Sequence, residues 1–180
     1  KKQQSVDVPE APLFLELLIP VLRWARQTLS SRLHGYSWET TVRLSLERDL
    51  LYQLSRWSKA AFNERFQTFF KNEPSQDLIS ADVVNHNQDH YKAFVQGMLH
   101  GGLGQFYMSY PVLAREQVRL ATNWVEATVE LWNRLEEDRA EILRTLSCGQ
   151  ELGKVTAIEP SLSDPHHGGR RVAKLSFESG

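Results

Sequence analysis

The chain has 180 residues, 41% apolar and 24% charged, which is an ordinary balance for a globular domain and enough length for one sizeable core. A net charge of −1 and a pI near 6.7 remove the basic footprint expected of a nucleic-acid binder. The single cysteine, Cys148, excludes an internal disulfide framework, and no apolar run approaches the roughly 18 residues of a membrane span.

Residues 1–10 are polar and read as a loose terminus, without the apolar stretch of a signal peptide. A cytoplasmic location is the expectation. From Pro12 to Leu33, the positions Leu13, Leu17, Val21, Trp24, Ala25 and Leu29 recur at steps of three and four, one face of an amphipathic helix. Pro20 inside this pattern should kink or split it, and Gly35 should end it. A second helix follows, with Ser37 as N-cap, Glu39 in its first turn and an apolar stripe through Val42, Leu46, Leu50, Leu54, Trp57 and Ala61. Phe62, Phe66, Phe69 and Phe70 crowd its end before Pro74 stops it.

The polar stretch after Lys71 reads as a loop with at most one helical turn. A third helix is expected over 89–99, with Tyr91, Phe94, Val95 and Met98 on one side, and then a loose, glycine-rich segment from His100 to Gly104. The longest helix begins at Pro111, the first-turn position that proline tolerates best, and ends at Gly149. Its buried stripe is read as Leu113, Leu120, Trp124, Leu131, Leu135, Ile142 and Leu146; Arg115, Glu116, Arg119, Glu126, Arg134, Glu137 and Asp138 make its solvated face.

At Val155 the period changes to two. Val155, Ala157 and Glu159 alternate with Thr156 and Ile158, and a second strand alternates from Arg171 to Phe177. A lone hairpin is marginal in water, so these strands read as part of a larger sheet and the chain as a fragment. The region before Lys154 reads as scaffold, and the chemistry concentrates in the turn Ser163-Asp164-Pro165-His166-His167-Gly168-Gly169-Arg170. An acid and an imidazole two residues apart can share a proton transfer, and glycines beside arginines let a backbone approach an anion. Glycine-rich turns between strands are common as plain structure, and a pair such as Arg170-Arg171 is usually a strand-edge charge pair. The pattern GxxxxGK[ST] is missing, which excludes an ordinary P-loop.

Other constellations are weaker. His86 and His90 lie four apart with Asp89 between, but no HExxH arrangement supports a metal, and Asn85-His86-Asn87 reads as a solvated loop. No metal ligand is assigned. Cys148 has no neighbouring His in sequence and reads as an inert thiol. The many Trp and Phe residues fall at helical spacing and read as core, since no basic stripe interleaves with them.

The segment VTAIEPSLSDPHHGGRRVAKLSFESG resembles the start of the dehydratase domain of class II lanthipeptide synthetases, the LanM type. That family carries a D-x-H-x-x-G-R-x-V pattern after a strand, met here by Asp164, His166, Gly169, Arg170 and Val172. The runs from Leu46 to Phe66 and from Tyr110 to Leu143 resemble the family's helices in matching order. The resemblance implies a mainly α fold: a helical region over 11–149, then from 150 to 180 the first strands of a lipid-kinase-like lobe, α+β in the whole enzyme. It implies an enzyme that uses ATP and Mg to phosphorylate Ser and Thr of a precursor peptide and then eliminates the phosphate. A separate Zn-dependent cyclase domain adds Cys thiols to the resulting alkenes. Asp164 and His166 are thereby implied in elimination, and Gly169 with Arg170 in handling the phosphate; His167 and Arg171 receive no role. The implied partners are the precursor peptide and the rest of the dehydratase and cyclase domains. The family's nucleotide-binding lysine, kinase loop and zinc site have no match in these residues, so the fragment alone is expected to bind no cofactor and to be inactive. A free-standing helical adaptor, binding a partner helix without catalysis, is the competing expectation.

Overall fold

A computed structural model describes residues 13–33, 39–72, 83–145, 151–166 and 168–179. The readings made for the loose terminus 1–10 and for Gly35, Ser37, Pro74, Leu146, Cys148, Gly149 and His167 lie outside the described residues, as does the side chain of His86.

The protein is mainly helical, with a small two-stranded antiparallel sheet near its C-terminal end. Helix α1 (Leu15–Arg32) packs against α5 (Pro111–Thr145) and α2 (Thr40–Asn72), and α2 packs against α5. Helix α3 (Val83–Gly97), a π-type turn (Met98–Gly102) and α4 (Leu103–Ser109) connect the end of α2 to the start of α5. Strands β1 (Val155–Glu159) and β2 (Lys174–Phe177) follow, with β1 lying against α2. No described helix is long and apolar enough to cross a membrane.

Why the helical core closes is visible in its side chains. Leu17, Leu18, Leu22, Ala25 and Leu29 of α1 meet Leu46, Leu50 and Leu54 of α2 and Ala121, Val125 and Val129 of α5 in one apolar cluster. The far end of α2 enters an aromatic cluster in which Phe62 stacks on Phe106 at 4.8 Å, and Phe14 meets Phe62, Phe66, Tyr91 and Phe94 at 5.5–6.0 Å. Phe14 is fully buried although its φ is +64°, a conformation that costs a bulky residue energy. The Tyr91 hydroxyl fixes it there, accepting from the Phe14 N–H at 2.9 Å and donating to the Glu16 carboxylate at 2.9 Å. A buried polar chain joins three helices: Tyr107 donates to Gln117 at 2.7 Å, and Gln117 donates to Ser58 at 2.6 Å.

Several expectations need correction. Helix α1 continues through Pro20 instead of splitting, since one proline deprives only the Glu16 carbonyl of its amide partner and the packed face outweighs that loss. Helix α3 starts at Val83, six residues before the expected Asp89, so the backbone of 85–87 is helical, not loop. The segment His100–Gly104 is a helical kink, made possible by Gly101 at φ +118°. Trp24 and Trp57, read as buried, are 43% and 56% exposed, because α1 turns Leu22 and Ala25 inward and α2 turns Leu54 and Ser58 inward in their place. In α5 the fully buried line runs through Gln117, Ala121, Trp124, Val125, Thr128, Val129, Trp132 and Leu135; Leu113, Leu120, Leu131 and Ile142 flank it half-buried.

Candidate functional site

The second half of the site region is an arm running from Glu151 to Ser179, and its construction explains where the predicted residues stand. A bulge between Val155 and Ala157 breaks the expected period of two. It lets Val155 and Ile158, three residues apart, both turn toward the helices. The Thr41 hydroxyl donates to the Thr156 carbonyl at 2.7 Å, tying the strand to α2. Beyond the sheet the two limbs stay loosely paired, with the Leu162 N–H donating to the Val172 carbonyl at 2.9 Å and the Val172 N–H to the Ser163 hydroxyl at 3.0 Å.

At the tip, His166 and Arg170 exchange both backbone hydrogen bonds at 2.9 Å, closing a small hairpin inside the long connection. Gly168 and Gly169 have φ of +83° and +93°, values that L side chains rarely adopt, so the two glycines are what allow this closure. A Cβ on Gly169 would stand 3.5 Å from the Asn123 side chain, which shows how closely the tip rests on α5. Asp164 and His166 are both exposed on this turn. Neither side chain makes a hydrogen bond with another described residue, including the other member of the pair. Sequence proximity thus puts the acid and imidazole on one turn without joining them.

The two neighbouring arginines leave the arm in opposite directions, as alternation along an extended segment requires. Arg170 reaches α5, where its Nε donates to Glu130 at 2.5 Å; Glu130 also receives Arg134 at 2.5 Å. The guanidinium proposed for phosphate therefore already has a carboxylate partner, with which a phosphate would compete. Arg171 turns toward α2. It donates to Ser161 at 2.5 Å and to Gln53 at 3.3 Å, and pairs with Asp49 at 3.4 Å. Asp49 in turn accepts from Ser161 at 2.6 Å and from Gln53 at 2.7 Å. The Arg171 and Asp49 side chains are only 19% and 16% exposed, so this cluster is far better shielded than Asp164 or His166. Ser161 sits at φ +74°, a strained value held by these contacts. Sequence reasoning gave Arg171 no role. The alternation signalled that it points away from Arg170, but nothing local to it pointed to Asp49.

Between α2, α5 and the arm lies an open cleft of about 1010 Å³. Asp164, Gly169, Arg170 and Arg171 line its arm side, and Trp57 and Arg119 belong to the helical walls. Two buried donors in its lining, Trp124 Nε1 and Arg171 Nε, have no acceptor among the described residues. At the sheet, Lys174 is held above its ordinary pKa by its hydrogen bond to Glu159, its cross-strand partner, at 2.9 Å.

The metal reading gains nothing from the geometry. The His90 ring packs edge-on against Phe70 at 5.2 Å, and Asp89 faces Lys92 at 3.5 Å. Among the described residues no three His, Cys, Asp or Glu side chains converge in a set that fits a metal ion.

Residues 110–180 match the model of a domain of unknown function, DUF4135. That span takes in α5 and the whole arm, the two elements that meet at Glu130 and Asn123. No curated protein and no solved structure matches the chain.

Proposed function

We propose that the chain is the N-terminal part of the dehydratase domain of a class II lanthipeptide synthetase, and that its arm contributes to phosphate elimination. The observation that carries this reading is the set Asp164, His166, Gly169 and Arg170 on one exposed, glycine-closed turn, anchored to α5 within the span that matches the domain model. Elimination from a phosphorylated Ser or Thr needs a base to take the α-proton. The freed electron pair forms the Cα=Cβ bond as the Cβ–O bond breaks, and the phosphate departs with that bond's electrons. An imidazole with an acid close by suits the proton transfer, and a guanidinium suits the departing phosphate.

In this reading the precursor peptide is the substrate, and the remaining dehydratase and cyclase domains are the partners of the helical body. ATP with Mg would serve the phosphorylation, and Zn the cyclase. The described residues offer no donor set that fits either metal, so no step here is assigned to one. The setting is cytoplasmic. The test is His166→Ala in the full-length synthetase, supplied with precursor peptide and Mg-ATP. Phosphorylated peptide should accumulate in its mass spectrum; unchanged dehydration would sink the assignment of His166 to elimination.

A further inference from the structure

Asp164 and His166 have no side-chain partners of their own among the described residues, yet an elimination base has to be held to within a fraction of an ångström of its proton. Something else must set the arm. Two clips are in place. Arg170 joins the tip to Glu130 of α5, but that guanidinium is 48% exposed and is the one expected to meet phosphate. Arg171, the next residue, is largely shielded, and its partners come from both α2 (Asp49, Gln53) and the opposite limb of the arm (Ser161).

We infer that Asp49 and Arg171 are positioning residues for the turn that carries Asp164 and His166, an inference that rests on the dehydratase reading above. The cluster joins the two limbs of the arm between the sheet and the tip. Arg171 lies on the returning limb, Ser161 on the outgoing limb, and Asp49 accepts from both, so one carboxylate fixes the spacing of the limbs and their height above α2. Gln53, one turn along α2, donates to the second Asp49 oxygen and accepts from Arg171, which holds both groups in rotation. Two further features mark the cluster. Ser161 is kept at a strained φ of +74°, and Arg171 Nε is buried with no acceptor among the described residues. Asp49 and Arg171 touch no reacting atom in this scheme; they act through the turn.

The test measures phosphorylation and elimination separately in the full-length synthetase carrying Arg171→Ala, Asp49→Asn or Arg171→Lys, with synthetic phosphopeptide as the probe for elimination. Elimination kcat should fall about tenfold or more in Arg171→Ala and Asp49→Asn, with KM for the phosphopeptide and the phosphorylation rate changed less than about twofold. Arg171→Lys, which keeps the charge but loses the fork, should recover part of the loss. The double variant Arg171→Ala with Asp49→Asn should fall no further than the worse single one, because both remove the same contact. Elimination at wild-type rates in both single variants overturns the inference, as does a parallel loss of phosphorylation and elimination in both, which would make the cluster a prop of the fold. His166→Ala separates the two levels. If it leaves dehydration intact, the assignment of the turn to elimination fails; if it blocks elimination while Arg171→Ala does not, only the positioning role fails.

Discussion

Among the described residues, 22 apolar side chains are buried between Phe14 and Leu135, whereas between Leu152 and Ser179 only Leu152, Val155 and Ile158 are. The helical body is held by apolar area and aromatic packing, which is non-directional and tolerant of position. The arm is held by tethers with fixed geometry: Arg139 to the Gly153 carbonyl at 2.6 Å, Arg170 to Glu130, and Arg171 to Asp49 and Ser161. The contrast teaches a division of labour. A body cemented by burial provides rigid helices, and an arm pinned to those helices by hydrogen bonds can present exposed side chains at a defined place.

The sharpest way to break the comparison is from the body. Phe62 is wholly buried and stacks on Phe106, so Phe62→Ala should cost about 3–5 kcal/mol of global stability, read as a lowered denaturant midpoint. On the arm the expected effect is smaller and local. Gly169→Ala forces a Cβ onto a residue at φ +93° and should cost about 1–2 kcal/mol at the turn. Faster hydrogen exchange at the His166 and Arg170 amides, with the global midpoint held, would bear this out. A midpoint shift as large as that of Phe62→Ala would show that arm and body unfold as one.

These two sites also mark how far the sequence could be read. The stripe of α2 from Val42 to Leu54, the start of α5 at Pro111, strand β1 and the Lys174–Phe177 part of the strand expected from Arg171 were legible, because apolar spacing and proline placement are local signals. The turn from Ser163 to Arg170 was legible as a unit, because paired glycines announce positive φ. What was not legible is tertiary. The phase of β1 depends on a bulge that no residue type announces, and Trp57 looked buried until the packing of α2 turned Ser58 inward. Arg171 meets Asp49 across 122 residues of sequence, a pairing that no spacing pattern encodes.

The smallest effect is one of pH, and it lies in the body. Burial raises the Tyr91 phenol to about 12, with the Glu16 carboxylate adding to the rise and the Phe14 N–H opposing it. The folded protein therefore holds this proton more tightly than the unfolded chain, whose phenol titrates near 10.0. The stabilisation is complete below pH 10 and declines as pH rises from 10 toward 12. Tyr91→Phe should flatten that decline in a pH series of melting temperatures, whereas Tyr107 and Tyr110, also raised by burial, keep contributing in the variant. An unchanged slope would show that the Phe14–Tyr91–Glu16 contact does not persist in solution.

The central claim is that the arm, and not the body, carries chemistry, and the product masses from the His166→Ala variant of the proposed synthetase test it most directly. With Mg-ATP and precursor peptide, the account predicts peptide that carries phosphate and is not dehydrated. Fully dehydrated peptide, at the wild-type rate, would contradict it.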